Sequence, residues 1–261
     1  MMNHIEFPGL GLDFHINPIA ILLPIPSGGI RWYAIIILTG IVLACIMGFK
    51  EYKRLGGKED DLYNMLLYCI PVSIICARIY YVLFYPDGFD KFSDVFKIWE
   101  GGIAIYGAVI GAAAVVIIYC KRHKLSVLMH LDLGAYGFMI GQAVGRWGNF
   151  VNGEAYGVPT NLPWRMVVNG TLAHPAFLYE SLWLALGFIL IYSTRKKGYF
   201  EGRSACFYLI WYGIERAFVE TLRTDSLMIG SLRVSSILSL VLVAVGIFGY
   251  FKLKKRNVNL S

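Results

Sequence analysis

Charge is what this chain has least of. Only 16% of its 261 residues are Asp, Glu, Lys or Arg, against about a quarter in an ordinary soluble domain. Hydrophobic residues make up 57%, and the mean hydropathy is +0.59, which excludes an ordinary soluble globular protein. Three segments carry no charge at all: Trp32 to Phe49, Ile103 to Cys120 and Val234 to Phe251. There is no internal repeat, no low-complexity tract and no break in composition that would mark a second domain. Cys45, Cys69, Cys76, Cys120 and Cys206 lie scattered in apolar stretches without paired spacing, which reads as packing rather than as disulfides or a metal site. The five histidines add no ligand spacing either, so no metal and no organic cofactor is expected. The opening "MMNHIEFPGLGLDFHINPIA" has neither a basic n-region nor a small-residue cleavage site, and a removable signal peptide is therefore not expected.

What is present is a series of spans. A bilayer core of about 30 Å needs about 20 apolar residues per helix. The three uncharged segments meet that length, and four more do so with a few charges: Leu62 to Tyr85, Val127 to Trp147, Ala176 to Ser193 and Ser204 to Leu222. The expected fold is an all-α bundle of seven transmembrane helices in one polytopic membrane domain, 1–261, with a small external loop region at 152–173. The formal charge of +7 follows the same plan. Fifteen of the 24 lysines and arginines fall after helices one, three, five and seven, in the groups Lys50 to Lys58, Lys121 to Lys124, Arg195 to Arg203 and Lys252 to Arg256. Basic loops stay in the cytoplasm, so the N-terminus is expected outside and the C-terminus inside. The basic excess thus reports topology and not a nucleic-acid partner.

Within these spans the polar residues gather near one surface. Topology puts Tyr33, Arg78, Tyr106, Arg146, Asn149, Glu180, Arg216, Glu220 and Arg223 in the external parts of six helices. Intramembrane charge is costly and by default marks a site facing the bundle interior or a water-filled cavity. Arg216, Glu220 and Arg223 recur at i, i+4 and i+7, on one helix face. One reading is an internal ion-pair network fixing helix contacts. The four arginines, however, can all be neutralised only if Glu180, Glu215 and Glu220 all turn toward them, and an excess of guanidinium at headgroup depth points to an anionic, phosphate-bearing ligand. His130 and Asp132, near the cytoplasmic start of helix four, read as interface or capping residues. Gly134, Gly137, Gly141, Gly145 and Gly148 form a stripe on helix four, joined by Gly107 and Gly111 on helix three. Small residues let membrane helices approach closely, so the stripe reads first as packing, which also positions the polar end of its helix.

"GRWGNFVNGEAYG", Gly145 to Gly157, resembles the G-R-x-G-N-F-x-N-x-E signature of bacterial prolipoprotein diacylglyceryl transferases. The resemblance continues in family order through "RWY" (31–33), "ARIYYVLF" (77–84), "WEGGIAIYGAVIG" (99–111), "HPAFLYES" (174–181) and "ERAFVETLRTDSL" (215–227). It implies a multi-pass enzyme of the bacterial cell membrane, with its active site toward the external face. Such an enzyme moves the diacylglyceryl group of phosphatidylglycerol to the lipobox cysteine thiol of a preprolipoprotein signal peptide, forming a thioether and releasing glycerol phosphate. Its partners would be that lipid, that peptide and the bilayer. The resemblance further implies that Arg146 binds the phosphate, that Asn149, Glu154 and Gly157 shape the same site, that Arg216 with Glu220 forms its other wall, and that Tyr33 matches a family tyrosine. Many members have histidine where this chain has Tyr106. An unperturbed tyrosine, with a pKa of about 10, is a poor base at neutral pH, so the acceptor of the thiol proton stays open.

The expected chemistry has Arg146 and Arg216 clamping the phosphate, Tyr106 touching the headgroup or shuttling the proton, and Glu154 or Glu220 orienting an arginine or taking the proton. Arg78, Arg223 and Glu180 complete the expected binding set. A transporter or flippase for an anionic lipid or solute is the alternative, since it too would need intramembrane arginines. Paired broken helices and repeats, common in transporters, are missing from the sequence.

Overall fold

The computed structural model describes residues 2–24, 28–85, 91–98, 101–222, 228–229 and 232–258. All seven expected segments are helical: α1 (Trp32–Arg54), α2 (Glu59–Phe84), α3 (Ile105–His123), α4 (Val127–Asn152), α5 (Ala176–Ser193), α6 (Arg203–Val219) and α7 (Val234–Val258). The three helices built on uncharged segments outrun them, α1 to Arg54, α3 to His123 and α7 to Val258. Basic residues fill those last turns, where they are favoured by the negative end of the helix dipole. Among the described residues six helices, all but α6, are long and apolar enough to cross a membrane. With 17 residues, α6 is the shortest. The chain is a mostly helical integral membrane protein.

The all-α expectation needs one correction. Strand β1 (Asn3–Phe7) pairs antiparallel with β2 (Leu12–Ile16) on one side and β5 (Met166–Val168) on the other, and β5 pairs with β6 (Thr171–Ala173), giving the order β2-β1-β5-β6. Two smaller hairpins join β3 (Ile19–Leu22) to β4 (Gly29–Arg31) and β7 (Met228–Ile229) to β8 (Leu232–Arg233). Ile5, Phe7, Met166 and Val168 bury one face of the four-stranded sheet against Phe177 of α5. The last part of the 152–173 loop is therefore a β-hairpin, finished by a partner about 160 residues earlier. The alternation in "HIEF" and "FHI" is too short to announce a strand by itself.

The chain groups into two compact units, Met1–Gly48 with Leu131–Ser261, and Phe49–His130. In the first, the glycine stripe of α4 meets α1. A Cβ on Gly148 would lie 2.6 Å from the Tyr33 ring, one on Gly145 would lie 3.3 Å from Ile37, and one on Gly40 would lie 3.4 Å from Gly141. The stripe is thus a contact surface for α1, as small residues in membrane helices allow. Polar links tie α4 to its other neighbours. Ser181 of α5 donates to the Ala143 carbonyl and accepts from the Trp147 indole, and Tyr208 of α6 donates to Gln142. Helix α6 lies along α7, where a Cβ on Gly213 would come within 2.8 Å of the Ser239 carbonyl.

Asp132 proves to be a capping residue. Its carboxylate accepts the Gly202 and Ala205 backbone N–H groups at 2.8 Å each, at the positive N-terminus of α6, although it belongs to α4. A carboxylate there satisfies donors the helix itself leaves unpaired.

In the second unit α2 and α3 lie side by side. A Cβ on Gly107 would come 2.3 Å from the Cys76 carbonyl oxygen, so this face of α3 rests directly on the α2 backbone. His130 hydrogen-bonds the Ser126 carbonyl at 2.7 Å and sits against the Tyr52 ring. Asp132→Ala should lower the thermal midpoint in detergent by the equivalent of about 1–2 kcal/mol, the usual value of a lost helix cap. An unchanged midpoint would show that the cross-helix cap contributes nothing.

Candidate active site

The first unit brings five of the charged helical residues to one end, where α4 and α6 finish and α5 begins. Arg146, one and a half turns before the end of α4, is ion-paired with Glu180 in the second turn of α5. Arg216 of α6 pairs with Glu220, one helical turn on, at 3.0 Å. Glu215, buried on α6, lies within electrostatic reach of Glu180, Arg146 and Arg216. The burial is uneven in a useful way. The Glu180 and Glu220 side chains are 2% and 1% exposed, whereas their arginines are 22% and 20% exposed. Each carboxylate sits behind its guanidinium, and the open side of the arrangement is cationic.

Glu215 is a member that sequence reasoning placed only as a possible neutraliser. It changes the charge count: among the described residues the cluster holds three carboxylates and two guanidinium groups, so the guanidinium excess expected from sequence is not found in this part of the site. Arg223 lies outside the described residues.

Around the cluster the glycine-rich motif becomes a helix end. Gly153 takes a left-handed φ of 64°, and the Glu154 N–H donates to the Asn149 carbonyl at 3.0 Å as the chain leaves α4. The Glu154 carboxylate accepts the side-chain amides of Asn149 and Asn152 at 3.2 and 3.1 Å. Glu154 therefore fixes Asn149 at the mouth of the helix. Gly157 follows, and its N–H donates to the His174 carbonyl, while the Val158 N–H donates to the Leu222 carbonyl at 2.7 Å. This short clasp joins the start of α5 to the turn that ends α6. A Cβ on Gly157 would lie 2.8 Å from the His174 Cβ and 3.2 Å from the Leu222 oxygen, so only glycine lets the strand through.

An apolar cavity of about 340 Å³ opens beside this end, lined by Ile36 and Thr39 of α1, Ala143, Val144 and Trp147 of α4, and Ser181 and Ala185 of α5. Trp147 lines the cavity and directly follows Arg146 in the chain, so charge and apolar space meet at one turn of helix.

Two expected residues belong to the second unit. Arg78 is buried, and all three of its nitrogens donate to backbone carbonyls: to Val95 at 2.7 Å, to Asp94 at 2.6 Å and to both Gly101 and Gly102 at 2.7 Å. The paired glycines have φ of 97° and 74°, conformations that L side chains resist, which lets two successive carbonyls face one guanidinium. Arg78 thus clasps the segment leading into α3, whose second residue is Tyr106. The Tyr106 ring is exposed, with Tyr80 beside it at 6.1 Å.

The chain matches the family described as prolipoprotein diacylglyceryl transferase over residues 20–252. It is 46% identical to the phosphatidylglycerol–prolipoprotein diacylglyceryl transferase of Streptococcus agalactiae serotype Ia, across 89% of this chain and 94% of the relative. The protein of that name from Clostridioides difficile strain 630 is 44% identical, across 88% and 93%, and that of Ligilactobacillus salivarius is 44% identical, across 90% and 93%. The chain belongs to the prolipoprotein diacylglyceryl transferase family. Membership decides between the two functional classes left by the sequence: it is a transferase, not a transporter. The family signature acquires a physical meaning here, since its arginine faces the open end, its asparagine and glutamate close the helix, and Gly157 threads the clasp.

His174 is the residue the sequence marked only as the start of α5. Its imidazole approaches the Tyr179 hydroxyl at 3.3 Å, and that hydroxyl accepts the Trp164 indole N–H at 2.7 Å. Burial pushes the His174 pKa below its ordinary value. The folded state then binds fewer protons here than the unfolded one, so stability falls as pH drops through the unfolded value of about 6.5. His174→Gln should flatten the fall of the thermal midpoint below about pH 6.5; an identical pH profile would remove His174 as its source. Gly157→Ala should reduce transferase activity at least tenfold while the helical circular dichroism is kept, because the methyl group forces the clasp apart.

Proposed function

We infer that this chain catalyses the reaction for which its family is named, transfer of the diacylglyceryl group of phosphatidylglycerol to a prolipoprotein. The lipobox cysteine thiol of the signal peptide is the acceptor. Attack falls on the glycerol carbon that carries the phosphate ester. The carbon–sulfur bond forms, the carbon–oxygen bond to phosphate breaks with its electron pair leaving on glycerol phosphate, and the thiol proton passes to a base. No acyl-enzyme is needed, because the bond made is a thioether.

The observation that carries the site assignment is the pair of partly open guanidinium groups, each backed by a buried carboxylate, with an apolar cavity next to the Arg146 end of α4. A phospholipid presents the matching pair of features, an anionic phosphate and an acyl chain. In this reading Arg146 and Arg216 clamp the phosphate and stabilise the charge that grows on the leaving group, an effect of about 3 kcal/mol per preorganised donor in a dry site. Glu180 and Glu220 hold the two arginines, and the cavity from Ile36 to Ala185 receives one acyl chain. Asn149, kept in place by Glu154, and Gly157 bound the headgroup, and Tyr33, lying on Gly148, closes its α1 side. Arg78 fixes the segment before Tyr106, whose hydroxyl, by its place in the family motif, is assigned to the headgroup. Arg223, at i+7 from Arg216 in the sequence, is a further candidate cation.

The surplus carboxylate supplies a place for the thiol proton. Glu215, among the described residues of the cluster the glutamate outside the Arg146–Glu180 and Arg216–Glu220 pairs, is the carboxylate that takes the thiol proton as the carbon–sulfur bond forms. A free thiol is only a few per cent ionised at neutral pH, so such an acceptor matters. For the architecture, we propose that α6 is the seventh span, supported by its packing along α7, and that the whole chain forms one membrane domain. The N-terminus then lies outside the cell membrane and the C-terminus in the cytoplasm, supported by the basic groups at the ends of α1, α3, α5 and α7. The active end faces outward.

Purified protein incubated with phosphatidylglycerol and a lipobox peptide should give a diacylglyceryl peptide adduct by mass spectrometry; no adduct, under conditions where a relative works, would sink the assignment. Arg146→Ala should lower the rate by about 10²–10³-fold with the protein still folded. Glu215→Gln should slow transfer and shift the pH–rate profile, and an unaltered profile would return the proton to Tyr106, Glu154 or Glu220.

A further inference from the structure

The outer face of the β1–β2 hairpin carries a second cluster that the transfer reaction does not use. Side chains alternate across a strand, and here Ile5, Phe7, Phe14 and Ile16 point into the apolar cluster, leaving His4 and Glu6 of β1 and Asp13 and His15 of β2 on the opposite face. The register sets His4 directly across from His15 and Glu6 across from Asp13. The two imidazoles are stacked, with centroids 4.3 Å apart and planes 4° from parallel. Both Nε2 atoms turn toward the same carboxylate oxygen: Asp13 Oδ1 lies 2.8 Å from His4 and 3.7 Å from His15. Glu6 Oε1 approaches His4 Nε2 at 3.0 Å.

We propose that His4, Asp13 and His15, with Glu6 as a fourth donor, form a binding site for a divalent transition-metal ion of the zinc, nickel or copper class. Two ligands on a tetrahedral ion with bonds of about 2.0–2.1 Å stand about 3.3 Å apart, and the three measured separations fall on either side of that value. The Nε2 and carboxylate oxygen atoms of the His4–Asp13–His15 trio all lie within 4.8 Å of one another. An imidazole pair with carboxylate oxygens suits these borderline ions rather than magnesium or calcium, which take oxygen donors. For both in-plane Nε2 lone pairs to meet at one ion, the stacked rings turn out of parallel about their χ2 bonds as the ion binds.

The site also has a structural reach. The His4 backbone exchanges hydrogen bonds with Asn169 in the β5–β6 turn, accepting from the Asn169 N–H at 2.9 Å and donating to its side-chain oxygen at 3.0 Å. Asn3 donates to the Val151 carbonyl at 2.9 Å, in the last turn of α4. An ion bridging β1 and β2 therefore fastens the sheet that leans on the helix end carrying Asn149. The proposal stands independently of the transfer reaction.

Isothermal titration of the full-length, tag-free protein in detergent with zinc or nickel chloride tests it. One equivalent should bind with micromolar or tighter affinity, magnesium chloride should give no saturable signal, and zinc should raise the thermal midpoint. His4→Ala and the exposed-site variant His15→Gln should each weaken binding at least tenfold, and His15→Gln should lose the zinc-dependent rise while its metal-free midpoint stays within a few degrees. Copper-loaded protein should show two nitrogen ligands by electron paramagnetic resonance. The absence of saturable binding, or the same affinity in the His4→Ala/His15→Gln double variant, would overturn the proposal.

Discussion

A guanidinium placed among membrane helices has to be compensated where it stands. Water is scarce there, and an unpaired charge costs several kcal/mol. The Arg146–Glu180 pair meets this demand by joining the end of α4 to the start of α5, and much of the first unit can be understood as what that pairing requires. Glu180 is buried deeply enough to face nothing but protein, so α5 has to lie close against α4. The Ser181 hydroxyl, next in the chain, bridges Ala143 and Trp147 and holds that approach. On the other flank, glycine on α4 lets α1 come near enough for Tyr33 to lie on Gly148. The arginine's accessible side is what remains after these contacts are made.

The same logic recurs with different partners. Arg216 is compensated along its own helix, by Glu220 one turn on. Arg78 is held by four backbone carbonyls. Carbonyl oxygens carry only partial charge, so several must converge, and two glycines with left-handed backbone make that convergence possible. Three arginines that look equivalent in a list of intramembrane charges thus do different work. Two stay partly open beside a buried carboxylate and one ties down a loop. Asp132 extends the theme to a helix terminus, where the partner is a pair of backbone N–H groups.

The sheet beside the end of α4 is assembled from segments about 160 residues apart in the first unit. β1 and β2 come before the first helix, while β5 and β6 follow the fourth. Their inner face serves the apolar cluster around Phe177. Their outer face gathers two histidines and two acids, which the strand register alone brings together. Function on that face is a by-product of burial on the other, since the pleat that hides Ile5 must expose His4 and Glu6.

Length and apolarity determined much of this protein. Seven helices followed from where charge was missing, and the family followed from the ordered motifs, above all "GRWGNFVNGEAYG". Arg146, Asn149 and Arg216 stood out as polar residues in apolar helices, whereas Gly157 was marked only by the family resemblance. Tertiary structure alone decided who faces whom. Glu215 gained its place because α6 turns it toward Glu180, whereas its sequence position beside Arg216 suggested only a local neutraliser. Arg78 became a clasp because the carbonyls of Asp94, Val95, Gly101 and Gly102 fold back over it. His4, Asp13 and His15, with no recognisable ligand spacing, became neighbours through antiparallel pairing. Helix propensity and span length act over nearby residues and can be read in order along the chain, but charge pairing and strand register join residues far apart in sequence, and only the folded chain settles them.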